Sequence, residues 1–382
     1  MKKILVIHNT YRNIGGEDIA VENEIELLEN EFHVQTIYYS NKYVNFLSQI
    51  FSFILNQNNE SMKKLNQIID SFQPDFVYVH NTWFKASLGV FKILKDKNIK
   101  TIVKLHNFRY DCTKGYFIKC NTEENETCGK CGRKKSKFQI FNKYFTESYI
   151  KSFLVNRYGK KYFKILKQDI NKILVLTKFH KNYLIDLGFE AQKIHVFQNY
   201  IQVEQNSQIN FEDFIVYAGR ISHEKGVSTL IDAFLNSNLE NTKLKILGEG
   251  PLLKEIRMKY DRDSIEFYGF MSNEETLDII KKAKAVVTAT KLYEGQPTLL
   301  CEASSFGVPS VFPDAGGISE FFPSDYSLIF NQNDQNDLVE KLNMLNDHEF
   351  ISDLGFKNKE YLKSNLNKDR LIGIFKKIID EL

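Results

Sequence analysis

The sequence is short of the features that would take it out of the ordinary globular class. Six prolines in 382 residues leave long stretches free to form regular elements. With 43% hydrophobic and 26% charged residues, a wholly disordered chain is excluded. No apolar run approaches the roughly 20 residues that span a bilayer, and Ile4-Leu5-Val6-Ile7 behind Met1-Lys2-Lys3 is too short for a signal-peptide core. The chain is therefore expected in the cytoplasm. Only five cysteines occur, and in that compartment permanent disulfides are not expected. A single core rarely serves more than about 250 to 300 residues, so this length predicts two domains.

What is present is unevenly distributed. The net charge of +3 hides 30 Lys and Arg against 19 Asp and Glu in residues 1–190, and 21 against 29 in residues 191–382. Basic and aromatic residues interleave from Lys130 to Lys167, as in Arg133-Lys134-Lys135-Ser136-Lys137-Phe138 and Tyr158-Gly159-Lys160-Lys161-Tyr162-Phe163. Such a segment suits an anionic membrane surface or a nucleic acid, and equally the solvated face of a helix over a core. Four cysteines, Cys112, Cys120, Cys128 and Cys131, fall close together, the last two in CxxC spacing. One reading is a structural zinc site of four thiolates. The first pair is spaced more widely than the usual knuckle, so unligated thiols in a surface insertion are the other.

The N-terminal half repeats a strand-then-helix rhythm. Apolar runs at Ile4–Ile7, Val34–Tyr39, Phe76–Val79, Thr101–Leu105 and Ile173–Leu176 are short and unalternating, as in strands buried on both faces. Helical stretches such as Ile19–Leu28 and Trp83–Leu94 lie between them. The rhythm restarts after a polar linker, Gln202–Glu212, with Phe214–Tyr217, Leu244–Leu247, Ile265–Tyr268, Ala285–Val287 and Ser310–Phe312. Pro251 suits a first helical position, Ser272-Asn273-Glu274-Glu275 is a capping box, and Gly307 is placed to end a helix that starts near Thr298. Two doubly wound α/β domains follow, and their ligands bind at the carboxyl ends of the strands.

Residues just after those strands carry the chemistry. Gly15-Gly16, ahead of a helix opening with Glu17-Asp18, let backbone amides approach a phosphate. The first strand of the second series runs into Gly219-Arg220-Ile221-Ser222-His223-Glu224-Lys225-Gly226. This loop carries a guanidinium fork and an ammonium point charge suited to a diphosphate. Gly248-Glu249-Gly250-Pro251 forms another small-residue corner. In Glu294-Gly295-Gln296-Pro297-Thr298-Leu299-Leu300-Cys301-Glu302 two carboxylates straddle a strand-to-helix turn. One can address a sugar ring and the other ribose hydroxyls, while the amides near Thr298, Leu299 and Leu300 face a phosphate.

These motifs resemble, in order, those of the retaining glycosyltransferases of family four, the group 1 glycosyl transferases. Glu294 to Glu302 is similar to that family's E-x7-E element, and Gly219-Arg220, Glu224-Lys225-Gly226, Gly248–Pro251 and Pro309–Gly317 to its other signatures. Gly15-Gly16, His80-Asn81 and His106-Asn107 match in kind and position. The resemblance implies a GT-B fold of two Rossmann-like domains facing a central cleft. The acceptor-side domain would span residues 1–190, with a C-terminal helix at about 366–382 packing back on it, and the donor-binding domain residues 200–365. It implies that Arg220 and Lys225 hold the donor diphosphate, Glu302 the ribose and Glu294 the donor sugar. Gly16 would add a backbone contact, and His106 would face the transferred sugar. The sequence departs from the family where many members carry a Gly-Phe-Gly-like stretch, having Gly295-Gln296-Pro297-Thr298 instead.

The expected activity is retaining transfer from a UDP- or GDP-linked sugar to a glycan or lipid-linked acceptor in surface polysaccharide or lipopolysaccharide synthesis. No cofactor is required for catalysis, and no nucleic acid is expected as partner. The basic N-terminal half suggests a peripheral position at the inner face of the cell membrane. Asp261-Arg262-Asp263 imitates a metal-binding DxD, but it falls in a polar turn after a helix, and two cations already serve in place of a divalent ion. The rival readings are a nucleotide-sugar epimerase on the same fold and a non-catalytic basic, cysteine-bearing binding module.

Overall fold

The structure is a computed structural model and describes residues 1–11, 15–40, 54–113, 148–203 and 211–382. It divides into two compact units, Met1–Tyr200 with Lys368–Leu382, and Ile201–Asn367. Each holds one six-stranded, all-parallel sheet.

In the first unit the strands are β1 (Lys3–Thr10), β2 (His33–Ser40), β3 (Phe76–Val79), β4 (Lys100–Leu105), β5 (Lys172–Val175) and β6 (Ile194–Val196). They are arranged β2-β1-β3-β4-β5-β6. Ile4, Leu5, Val6 and Ile7 are fully buried, because helices cover both faces of a parallel sheet and leave neither side of the pleat to water. The helices are α1 (Gly16–Glu29), α2 (Asn59–Phe72), α3 (Gly89–Asp96), α4 (Tyr149–Gln168) and α5 (Lys178–Asp186).

The sequence motif expected as a helix over Trp83–Leu94 is helical only from Gly89. Phe84 (φ 79°) and Ser87 (φ 64°) adopt left-handed backbone, which a right-handed helix does not accommodate. The second half of the basic-aromatic segment is α4, where Tyr158 and Tyr162 are core residues and Lys160, Lys161 and Lys164 are exposed. Its first half, Lys130–Phe138, lies outside the described residues.

The second unit contains β7 (Glu212–Ala218), β8 (Lys243–Leu247), β9 (Ile265–Gly269), β10 (Ala283–Val287), β11 (Ser310–Pro313) and β12 (Ile329–Phe330), in the order β12-β11-β10-β7-β8-β9. Its helices are α6 (Val227–Asn236), α7 (Leu253–Lys259), α8 (Asn273–Ile280), α9 (Thr298–Phe306), α10 (Gln335–Asn343) and α11 (His348–Asn365). Ser272 and Glu275 form the capping box of α8, and Gly307 ends α9 in left-handed geometry (φ 82°), as their sequence patterns predict. Pro251 does not open α7. The Leu252 amide donates to the Ile221 carbonyl at 3.2 Å, which draws that turn toward the loop after β7 before the helix begins. Glu212, read as linker, is the first residue of β7, and residues 204–210 fall outside the described set.

The last helix, α12 (Lys368–Asp380), joins the first unit. Leu371, Ile372, Phe375, Ile378 and Ile379 are buried, a spacing that puts them on one helical face. The Phe375 ring packs against Phe32, Phe76, Tyr78 and Phe197 with centroids 5.4 to 6.4 Å apart. Burying a side chain of this size contributes roughly 1.5 to 3 kcal/mol.

Candidate active site

In the second sheet the chain leaves β7 in one direction for β8 and returns on its other side with β10. The carboxyl ends of β7 and β10 therefore border the point where strand order reverses, the place such sheets bind ligands. The loop after β7 begins at Gly219-Arg220 and makes a single turn of 3-10 helix at His223–Lys225. The segment after β10 carries Glu294. Between them Lys225 Nζ lies 2.5 Å from Glu294 Oε1, and Thr290 Oγ1 donates to the same oxygen at 3.3 Å.

The backbone holds this pair in place. The Lys291 amide donates to the Glu224 carbonyl at 2.9 Å. Gly226 is left-handed (φ 67°), and a Cβ there would stand 1.9 Å from the Ala289 carbonyl oxygen. Gly316 is left-handed (φ 64°), and its Cβ would meet the Glu294 backbone at 2.7 Å. Only glycine combines that φ with so close an approach.

Gly219 and Gly250 belong to two loops stitched together, with the Ile221 amide donating to the Glu249 carbonyl at 2.9 Å and the Gly219 amide to the Leu247 carbonyl at 2.9 Å. Arg220 is exposed, and no side-chain acceptor holds its guanidinium among the described residues. Thr298, Leu299 and Leu300 form the first turn of α9, whose amides point away from the helix body. Glu302 sits one turn further on, its carboxyl pushed up to about 7 by burial. No hydrogen bond or ion pair joins it to Lys225 or Glu294 among the described residues. Asp261-Arg262-Asp263 precedes β9 and is exposed, which puts it at the amino edge of the parallel sheet, opposite the ligand-binding edge.

The first unit has a corresponding reversal between β1 and β3. Gly15 caps α1, and its own amide donates to Asp18 Oδ2 at 2.9 Å; Gly16 opens the helix with its amide unengaged among the described residues. Asp18 Oδ1 also pairs with His8 Nε2 at 2.8 Å. His80, after β3, and His106, after β4, meet at 3.0 Å through Nδ1 and Nε2, with stacked rings. Burial drives both imidazoles well below their usual pKa, and each also feels the Lys104 cation. Both are neutral; the partly exposed His106 keeps Nδ1 for one hydrogen bond with a hydroxyl, whereas His80 Nε2 is buried and without a partner among the described residues.

Beneath them Lys104 pairs with Glu24, Tyr78 donates to Glu24 Oε1 at 2.5 Å, and the Lys104 ammonium lies 4.6 Å from the centre of the Phe197 ring. A cavity of about 30 Å³ lined by Glu17, His80, Trp83, Lys104, His106 and Arg109 opens at this edge.

Residues 202–365 match the family model described as glycosyl transferases group 1, a span that takes in nearly all of the second unit. The second unit is a glycosyl transferases group 1 domain. The chain is 26% identical over 177 residues to an amylovoran biosynthesis glycosyltransferase of Erwinia amylovora, covering 43% of this chain and 49% of that protein. It is also 26% identical to a GDP-mannose-dependent alpha-(1-6)-phosphatidylinositol dimannoside mannosyltransferase of Mycobacterium tuberculosis, over 37% of this chain and 38% of that one. The chain thus spans about half the length, or less, of these curated relatives.

Among solved structures, the Anabaena protein HepE, crystallised with UDP and glucose, matches with a TM-score of 0.67 at 13% identity over 100% of both chains. Sucrose-phosphate synthase from Thermosynechococcus elongatus matches with 0.72 at 14% identity, over 100% of this chain and 99% of that one. These likenesses identify the fold as GT-B.

The group 1 domain brings Lys225 and Glu294 into contact, where the sequence motifs assign one to a diphosphate and the other to a sugar. Sequence reasoning missed the contribution of Thr290 and, in the first unit, Glu24, Lys104, Glu17 and Arg109. The signal for Lys104 was a lone cation inside the apolar run Ile102-Val103-Lys104-Leu105, a charge that burial requires to be paired. Among the described residues no group of three or more His, Cys, Asp or Glu side chains is placed to hold a metal ion. Of the four clustered cysteines only Cys112 is described; Cys120, Cys128 and Cys131 lie outside the described residues. No helix among the described residues is long and apolar enough to cross a membrane.

Proposed function

We propose that the chain is a retaining glycosyltransferase that moves a sugar from a UDP- or GDP-linked donor to a glycan or lipid-linked acceptor in surface polysaccharide or glycolipid synthesis. The observation that carries this reading is the contact between Lys225 and Glu294 at the strand-order reversal, beside the open first turn of α9. In this role Arg220, Lys225 and the amides of Gly250 and residues 298–300 bind the diphosphate, while Gly219, whose own amide is taken by the Leu247 carbonyl, shapes the loop that carries Arg220. Glu302 accepts from ribose hydroxyls and Glu294 from the donor sugar. On the first unit, Gly16 offers an amide and neutral His106 meets the transferred sugar.

The reaction breaks the bond from the anomeric carbon to the phosphate oxygen and forms one from the acceptor oxygen to that carbon on the same face. The acceptor proton leaves with the diphosphate. Negative charge grows on the departing oxygen while the sugar becomes oxocarbenium-like, so cations fixed at the diphosphate stabilise the transition state beyond the ground state. These cations supply that charge from the protein itself.

Lys151, Arg157, Lys160, Lys161, Lys164 and Lys167 are exposed on α4 near the exposed Tyr149, Ile150 and Phe153, a face that suits an anionic bilayer. The test is release of nucleoside diphosphate from a panel of UDP- and GDP-sugars, with product anomer read by NMR. An inverted product refutes retention, absence of release from every donor refutes the transferase reading, and equal sedimentation with neutral and anionic vesicles refutes the membrane face.

A further inference from the structure

The first unit presents a guanidinium that the chemistry above does not use. Arg109 stands in the turn after β4, its backbone amide donating to Asn107 Oδ1 at 3.0 Å and its Nη1 to the Tyr11 hydroxyl at 2.9 Å. Its guanidinium carbon lies 5.3 Å from the Tyr11 ring centre and 5.8 Å from that of Trp83. A guanidinium has five N–H donors in a fixed plane. One is engaged here, and no other acceptor meets the rest among the described residues. Two aromatic contacts and an anchored backbone orient the fork in advance, which lowers the entropy lost when a ligand binds.

Glu17, a carboxyl that feels the Arg109 charge, does not occupy the fork. Its Oε2 accepts from Tyr11 at 2.9 Å and from Asn107 at 3.1 Å, so the Tyr11 hydroxyl stands between acid and base. Arg109 and Glu17 remain partly exposed in the cavity that also contains His80 and His106.

We propose that Arg109 is a recognition point for an anionic group, a carboxylate or a phosphate, on the acceptor. The inference rests on the glycosyltransferase reading and specifies its acceptor. A planar fork pairs with two oxygens of either group at once, and neutral sugar hydroxyls offer it no comparable partner. The two sources are an acidic sugar of a growing glycan and the phosphate of a lipid carrier.

Trp83 is the chain's single tryptophan and reports on the guanidinium beside it. The full chain, with excess UDP and GDP occupying the donor side, is titrated with methyl glucuronide, glycerol phosphate and neutral methyl glucoside while Trp83 emission is followed. At least one anionic probe is expected to give a saturable response, with the neutral glucoside about tenfold weaker or more. Arg109→Gln and Arg109→Lys should each weaken the anionic probe by about tenfold or more, the lysine variant keeping the charge and losing the fork. Unchanged melting separates that loss from misfolding.

A response to the glucuronide alone points to an acidic sugar, and to glycerol phosphate alone a carrier phosphate. Equal affinity for neutral and anionic probes, or anion affinity unchanged in both variants, overturns the proposal. Donor turnover is read separately. Nucleoside diphosphate release with a silent Trp83 removes the anion fork and leaves the transferase reading standing. A Trp83 response without release from any donor overturns the assignment of that anion to an acceptor.

Discussion

Replacing Lys225 with alanine separates what the Lys225–Glu294 contact does for the fold from what it does for turnover. The two side chains are 30% and 28% exposed, so their ion pair is part-buried, and with desolvation offsetting much of the attraction it contributes about 1 kcal/mol to stability. For a unit of this size that shifts the melting temperature by roughly 2 to 4 °C. The same ammonium, facing a departing diphosphate, should matter more. Loss of one preorganised electrostatic donor costs about 2.7 to 4 kcal/mol, or about 100- to 1,000-fold in turnover. Lys225→Ala also leaves the Glu294 carboxylate uncompensated beside the phosphates.

The assay is nucleoside diphosphate release at saturating donor, alongside a melting curve. A rate within about threefold of wild type, less than 1 kcal/mol of activation free energy, refutes the role of Lys225. The partner substitution has the opposite sign for binding. Glu294 pairs with Lys225, so a diphosphate must compete for it. Glu294→Gln should tighten nucleoside diphosphate binding while lowering turnover, and weaker diphosphate binding would refute the competition.

Gly226→Ala should destabilise the second unit by more than the roughly 1 to 2 kcal/mol that left-handed geometry alone costs, because its Cβ collides with the Ala289 carbonyl; denaturant unfolding measures it. Lys104→Ala leaves Glu24 buried without its cation and should cost about 3 to 5 kcal/mol, with Lys104→Met/Glu24→Gln recovering part of the loss in the same measurement. His80 and His106 are held neutral with pKa values well below 6.5, so the unfolded chain takes up more protons. Stability of the first unit should therefore be complete above pH 6.5 and fall as the pH drops below it, which melting curves across pH 5 to 8 would show. Glu302, with its carboxyl pushed up to about 7, must be ionised to accept fully from ribose hydroxyls. Donor affinity should rise as pH increases through 7 and lose that rise in Glu302→Gln. Burying this carboxylate has the opposite effect on the fold, whose stability should decline as pH rises from 4.5 to 7.

The strands were legible because parallel sheets covered on both faces require unbroken apolar runs, and Ile4–Ile7, Phe76–Val79 and Ala285–Val287 supply them. Turn chemistry was equally local. The Ser272 capping box and the left-handed Gly307 follow from residue type and short-range spacing. Local reasoning failed at Trp83–Leu94, where the spacing suits a helix but Phe84 and Ser87 take left-handed backbone. There the Asn81 side chain caps the Trp83 amide and Ser87 Oγ accepts from Asn58, 29 residues away, a contact that spacing cannot encode.

By itself the sequence determined the element types, the parallel sheets and which loops carry charge beside glycine, since these depend on periodicity and on the conformations each residue tolerates. It could not pair those charges. That Lys225 reaches Glu294, 69 residues on, or that Lys104 reaches Glu24, 80 residues back, was decided by strand order, which sets which carboxyl ends become neighbours. The same holds for Arg109 between Tyr11 and Trp83. Tertiary structure alone joins two strand-end loops and aligns a guanidinium with aromatic faces that local spacing never brings within reach.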